Sequence, residues 1–316
     1  MIIEKDKPTH IRFDWAIKKL LRSKANFGIL EGFLSELLHQ DIHIMEILES
    51  EGNKETRDDK YNRVDILVKD SRGQLIIIEI QNTRELDYFY KILYNTSKAT
   101  TEHMKAGAPY SKVKKVITVS VVYFDLGQGK DYVYYGDTKF EGIHYKDRLE
   151  LSATQKKLFD RETVSKIFPE HYILKVNMFN DVARDSLDEW IYFLKNSEIK
   201  DEFKAKGLAE AREKLRMINL SKKELRAYQR HLEDLHMTAS LEEQFRFEQT
   251  LAREEGLEEG RQEGRQEGME VGKEQGKEEK AIETAKNMLE DDLPIETIAK
   301  YTGLTENEIN DLMKDG

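Results

Sequence analysis

The chain has 316 residues and a mass of 37.1 kDa, which at ~150 residues per domain allows two domains, or one with appendages. It has no cysteine, which excludes disulfide frameworks, thiolate zinc sites, iron–sulfur clusters and cysteine nucleophiles and leaves any metal to oxygen or histidine nitrogen. The formal charge of −10 lies wholly in the C-terminal part: residues 251–316 carry 9 basic and 19 acidic side chains, while residues 1–250 balance at 42 of each.

The N-terminal stretch Met1-Ile2-Ile3-Glu4-Lys5-Asp6-Lys7-Pro8 has no apolar signal-peptide core, and no run approaches the ~18 apolar residues that span a bilayer. The expectation is a cytoplasmic protein with no membrane partner. From Ile11 to Leu38 apolar residues recur at helical spacing, with a break at Asn26-Phe27-Gly28. The pattern then turns to strands: Arg63 to Lys69, a polar turn, and Leu75 to Gln81, whose isoleucine-rich run predicts a central strand buried on both faces. Arg84 to Lys105 is helical and Lys114 to Phe124 is a further buried strand, so the helix between them predicts a parallel crossover.

Residues 126–150 read as short strands and loops. Thr154 to Tyr228 is mostly helical, with a strand-like patch at Tyr172-Ile173-Leu174-Lys175-Val176. The expected layout is a core over residues 10–125, a mixed then helical extension over 126–250, a charged helix or tether over 251–280 and a small helix-turn-helix-like end over 281–316.

The two strands around residue 70 place acids inside runs that should otherwise be apolar, and buried charges are expensive unless paired or bound to a metal. If Ser71-Arg72-Gly73 forms a three-residue hairpin loop with Gly73 left-handed, Asp70 pairs with Gln74 and the register runs outward to Lys69–Leu75, Leu67–Ile77 and Asp65–Glu79. The two carboxylates then become cross-strand neighbours, with Cβ atoms about 4.5–5.5 Å apart. Gln81 lies on the same face. Two carboxylates plus an amide oxygen suit Mg²⁺ or Mn²⁺, which can polarise a phosphodiester for hydrolysis. The alternative is an ordinary ion network of Asp65 and Glu79 with Lys60, Arg63 or Lys91.

The stretches Asp59-Lys60-Tyr61-Asn62-Arg63-Val64-Asp65-Ile66-Leu67, Ile78-Glu79-Ile80-Gln81, Tyr90-Lys91-Ile92-Leu93-Tyr94, Gly107-Ala108-Pro109-Tyr110 and Val116-Ile117-Thr118-Val119 together resemble the Rpn-type recombination-promoting nucleases, transposase relatives in the PD-(D/E)xK nuclease superfamily. The resemblance covers roughly residues 10–150 and, more loosely, the glycine-spaced C-terminal helix. It implies an α/β fold with a restriction-endonuclease-like core, a mixed central sheet flanked by helices, and a C-terminal helical extension. It also implies metal-dependent DNA cleavage linked to recombination or transposition, with Asp65 and Glu79 as metal ligands. Gln81 stands where the superfamily's usual lysine would be, and Lys60, Arg63 or Lys91 is left to supply the missing charge. The superfamily often adds a glutamate from the first helical region, and of Glu31 and Glu36 the expected third ligand is Glu31.

In the helix after the hairpin, Lys91 and Lys98 join Lys60 and Arg63 as candidate DNA contacts, whereas Phe89 and Leu93 are expected in the core. The eight histidines show no close zinc spacing and receive no catalytic role. A catalytically inactive nuclease fold acting as a DNA- or protein-binding module is the rival reading.

Gly256, Gly260, Gly264, Gly268, Gly272 and Gly276 recur every fourth residue among charged side chains. Such a stripe either admits a second helix and drives homo-oligomer formation, or marks a solvated, weakly helical tether. Beyond it, Ile295 to Ile309 has the size of a helix-turn-helix, but its second helix carries Glu306, Glu308 and Asp311 with few basic residues, as a small protein-contact element would.

Overall fold

A computed structural model describes residues 10–48 and 65–314. The chain forms two compact units, Met1–Thr238 and Ala239–Gly316. The first contains α1 (Phe13–Lys19), α2 (Phe27–Leu38), β1 (Ile44–Leu48), β2 (Ile66–Asp70), β3 (Leu75–Gln81), α3 (Tyr88–Glu102), β4 (Val116–Val122), β5 (Val133–Gly136), α4 (Ala153–Phe159), β6 (Glu170–Lys175), α5 (Ser186–Asn196), α6 (Leu208–Lys214) and the start of α7 (Lys222–Glu290).

The six strands form one sheet in the order β1-β2-β3-β4-β6-β5. The pairs β3/β4 and β4/β6 are parallel, and the other three are antiparallel. This is the expected mixed sheet flanked by helices, with two of its strands, β5 and β6, coming from beyond residue 125.

The isoleucine run of β3 is buried from Leu75 to Ile80 because the strand has neighbours on both sides and helices over both faces. Ile76, Ile78 and Ile80 enter the main core with Ile66 and Val68 and with Phe13 (α1), Phe33 (α2) and Trp190 (α5). Leu75 and Ile77 face the other way, with Leu67, Val116 and Ala99 of α3. The alternation therefore assigns odd-numbered residues of β3 to the α3 side.

The hairpin has the register expected from its turn. Lys69 pairs with Leu75, Leu67 with Ile77 and Ile66 with Ile78. Gly73 takes φ +75°, and Asp70 Oδ1 accepts from the N–H groups of Arg72 and Gln74 at 3.0 and 2.7 Å. An aspartate turn thus supplies the backbone partners that the loop would otherwise lack.

Helix α3 corrects one expectation. Its buried positions are Tyr88, Ile92, Asn95, Thr96 and Ala99; Phe89 is 54% and Leu93 60% exposed, along with Leu86, Tyr90 and Tyr94. Two apolar stripes share this helix, and the one that lies inward carries the polar Asn95 and Thr96.

Helix α2 packs closely on the turn before α6. A Cβ added to Gly32 would lie 2.5 Å from Gly207 Cα and still nearer the Lys206 carbonyl oxygen. Both are backbone atoms, and Gly207 itself sits at φ +85°, so neither side can yield easily. Gly32→Ala is expected to cost about 1–3 kcal/mol by overpacking, read as a lower urea midpoint at unchanged slope.

In the second unit, α7 continues to Glu290 and is followed by α8 (Ile295–Thr302) and α9 (Glu306–Lys314). Ala285, Ile298 and Ile309 form a small core with Met288, Leu304 and Leu312 around it. Gly303 closes α8 at φ +77°. The six spaced glycines lie within helical α7, and a Cβ on any of them would meet nothing within 4 Å. Among the described residues no helix is long and apolar enough to cross a membrane.

Candidate active site

Strand β3 brings Glu79 and Gln81 to the end of the sheet that α3 covers, and Asp65 stands immediately before β2. Extending the Ile66–Ile78 pairing by one residue sets Asp65 opposite Glu79. Asp65 Oδ2 accepts from the Ile80 N–H at 2.8 Å, its Oδ1 lies 3.1 Å from Lys18 Nζ of α1, and the Arg22 guanidinium holds its carbonyl at 2.7 Å.

Glu79 is only 6% exposed. Asn95 of α3 donates to its Oε1 at 3.0 Å. Burial pushes the Glu79 carboxyl up to about 7; the Lys91 ammonium opposes this, while the charges of Asp65 and Glu85 add to it. The side chain is thus a buried carboxylate with too little positive charge around it.

Gln81 Nε2 donates to Thr83 Oγ1 and Glu85 Oε1, both at 2.9 Å, and its Oε1 faces Lys91 Nζ at 3.4 Å. Lys91 also pairs with Glu85 at 3.1 Å and lies 5.5 Å from the centre of the buried Tyr88 ring. The positive charge beside Gln81 therefore comes from α3, four residues before Asn95.

The oxygen groups at this end of the sheet are the carboxylates of Asp65 and Glu79, opposite each other across the hairpin, and the Gln81 amide, whose Oε1 faces Lys91. That chemistry fits a hard divalent cation, and the burial that raises the Glu79 carboxyl favours a proton or a cation beside it. Lys18 provides one positive charge, at Asp65. Among the described residues no three of His, Asp or Glu gather as a metal-binding group; the Glu31 Oε1 accepts from the Ile44 N–H at 2.7 Å, tying α2 to β1. Glu36 accepts from Ser186 Oγ and from the Lys206 N–H.

Of the candidate DNA contacts, Lys91 lies at the site and Lys98 sits one helical turn from Glu102, with which it pairs at 3.7 Å. Lys60 and Arg63 fall outside the described residues. Sequence reasoning did not single out Lys18, Glu85 or Asn95. Asn95 left one usable signal, an amide four residues beyond Lys91 on a helix facing the acidic strand.

Just beyond Gln81, Asn82 enters a second polar cluster. Asp14 is fully buried, and its Oδ2 accepts from Asn82 Nδ2 at 2.8 Å, Arg12 Nη2 at 3.1 Å and His231 Nε2 at 3.3 Å. Burial alone would raise the Asp14 carboxyl, but the bonds from His231 and Arg12 outweigh it and hold it well below the usual range. The Tyr228 hydroxyl accepts from the Arg12 N–H at 3.1 Å. This cluster fixes α1 and the start of α7 to the end of the strand that carries the site.

A comparison with family models matches residues 278–314 to the Rpn/YhgA-like nuclease family, C-terminal HTH domain, over the three-helix end described above. Searches of curated proteins and of solved structures found no match. The model for PD-(D/E)XK nuclease family transposases matches residues 11–243, which takes in the whole sheet, the acidic hairpin and the helices around it. With most of its length so matched and with Asp65, Glu79 and Gln81 set on a central hairpin of a mixed sheet, the chain belongs to the PD-(D/E)XK nuclease family transposases.

Proposed function

We propose that the chain is a metal-dependent DNA endonuclease acting on cytoplasmic DNA in recombination or transposition, and that Asp65 and Glu79 hold a Mg²⁺ or Mn²⁺ ion. The observation that carries this reading is a carboxyl, Glu79, buried to 6% exposure opposite a second carboxylate on the hairpin, a setting that raises it to about 7. Structural acids are normally held low by partners; perturbation of this kind is a mark of functional sites. A bound divalent ion supplies Lewis-acid polarisation of the phosphodiester and positive charge for its transition state.

The protein's own groups then have separable tasks. Asn95 fixes the orientation of Glu79, and Lys18 that of Asp65. Gln81, anchored through its Nε2, presents Oε1 to a water or the ion, and Lys91 brings the positive charge that glutamine lacks. Lys91 and Lys98 offer phosphate contacts. The C-terminal HTH domain supports DNA as the partner. Glu31, the third ligand expected from the first helical region, has one carboxylate oxygen bonded to the Ile44 N–H, and this reading rests on Asp65 and Glu79 without it.

The test is nicking of supercoiled plasmid with Mg²⁺, with Mn²⁺ and with EDTA. Metal-stimulated nicking is expected; activity indifferent to EDTA would reject the reading. Removing an orienting partner by Asn95→Ala, or the charge by Lys91→Met, is expected to lower the nicking rate about 10–100-fold, the usual effect of losing a group that holds a metal ligand.

A further inference from the structure

At the opposite end of the sheet lies a cluster that the nuclease reading does not use. Lys115 immediately precedes β4, and its carbonyl accepts from the N–H of Leu75, the first residue of β3. Glu79 is four residues further along that strand, roughly 13 Å away at 3.3 Å per residue. The Lys115 side chain is 4% exposed and that of Glu170, the first residue of β6, is 5% exposed. Lys115 Nζ and Lys166 Nζ both lie 2.7 Å from the same oxygen, Glu170 Oε1.

One carboxylate thus serves two ammonium groups, and a third cation stands beside them. Arg161 donates to the backbone carbonyl of Asp160 at 2.8 Å and pairs with no carboxylate among the described residues. Its charge and that of Lys166 both act on Lys115. Asp137, whose charge is felt by the tyrosines near Glu170, is itself paired with Lys139 at 3.2 Å. Three cations against one carboxylate leave two positive charges at one place.

These cations open into a cavity of about 280 Å³ whose other walls include Tyr110, Phe159 and Ile167. Tyr110 is 89% exposed. A buried ion pair alone would pin β4 to β6 without a cavity; here the buried Lys115 shares one cavity with Arg161, with Lys166, whose side chain is 52% exposed, and with aromatic and apolar surface. The volume lies at the lower limit of ordinary ligand pockets, about 300–1,000 Å³, so the ligand is small.

We infer that this cavity binds a phosphate monoester carried on an aromatic body, the chemistry of a nucleoside 5′-monophosphate. A phosphate monoester carries about −1.5 to −2 charges near pH 7, which matches the local excess, and a base can lie against Tyr110 and Phe159. Free nucleotides and the 5′-phosphorylated end of a nucleic-acid strand share this chemistry. The inference does not depend on the metal site, because the cavity lies at the far end of the strands.

The test uses full-length protein carrying Asp65→Ala, so that no strand is cut, and calorimetric titration with thymidine 5′-monophosphate and with thymidine. The nucleotide is expected to bind at least tenfold more tightly than the nucleoside. Arg161→Glu and Lys166→Gln, at side chains that reach solvent, should each weaken it at least tenfold, with thermal melting unchanged. A 5′-phosphorylated oligothymidylate that displaces the nucleotide, where its 5′-hydroxyl counterpart does not, identifies a strand end as the occupant; failure of both to displace it identifies the free nucleotide. Equal binding of nucleotide and nucleoside, no nucleotide binding at millimolar concentration, or undiminished binding by Arg161→Glu would overturn the inference.

Discussion

Asp65→Ala and Glu79→Ala should each remove metal-dependent nicking by roughly 10³-fold or more, because a catalytic ion contributes several kcal/mol to the transition state and each substitution takes away half of the carboxylate pair. The two variants should fail differently. Asp65 also accepts from Ile80 and pairs with Lys18, so its loss frees a backbone N–H and an ammonium and should lower the melting temperature as well. Glu79 is held by one amide, and its loss should leave the fold intact. Equal rates for the wild type and both variants would remove these residues from the chemistry.

The second large effect is one of stability against pH. The Glu79 carboxyl titrates near 7 in the metal-free fold and near 4.5 when unfolded. Between those values the folded protein retains a proton that the unfolded chain has already lost, so this group makes the fold progressively less stable as pH rises through that window. The difference between those two values corresponds to about 3 kcal/mol once pH exceeds 7. Glu79→Gln removes the ionisation while keeping the shape. In EDTA at pH 8 the variant should melt several degrees above the wild type, and at pH 4.5 the difference should vanish. Adding Mg²⁺ at pH 8 should raise the wild-type melting temperature and not that of the variant. Parallel pH profiles for the two proteins would show that Glu79 does not carry this charge.

The part of this architecture written locally was the part legible in the sequence. Gly73 and the alternation around it set the hairpin register, and the isoleucines of β3 announced a strand covered on both faces. Strand β1 went unread because its five residues, Ile44 to Leu48, form a short sheet edge: four of them are apolar, but Met45 and Glu46 are both exposed, so the period-two alternation that marks a strand is broken. Helix α3 misled because its exposed stripe is richer in large apolar side chains than its buried one; only the tertiary fold decides which stripe turns inward. The acids of the site could be found from their intrusion into apolar strands, and the family relationship rests on the same residues. Lys18 and Asn95 reach the site from separate helices, one 47 residues before Asp65 and the other 16 after Glu79, and no local pattern records such meetings.

Helix α1 is in contact with both strands of the hairpin: Lys18 reaches the carboxylate before β2, and Asp14 grips the amide just after β3. At seven residues it is far below the ~12–15 at which a helix begins to persist on its own, and it endures through Phe13, wedged between Phe33 and Trp190 with ring centres 5.7 and 6.0 Å away. It is a splint whose rigidity is lent by aromatic rings remote from any reacting atom. Substitutions that loosen those rings should therefore unsettle Asp65, which Lys18 steadies, more than Glu79, which Asn95 steadies from another helix.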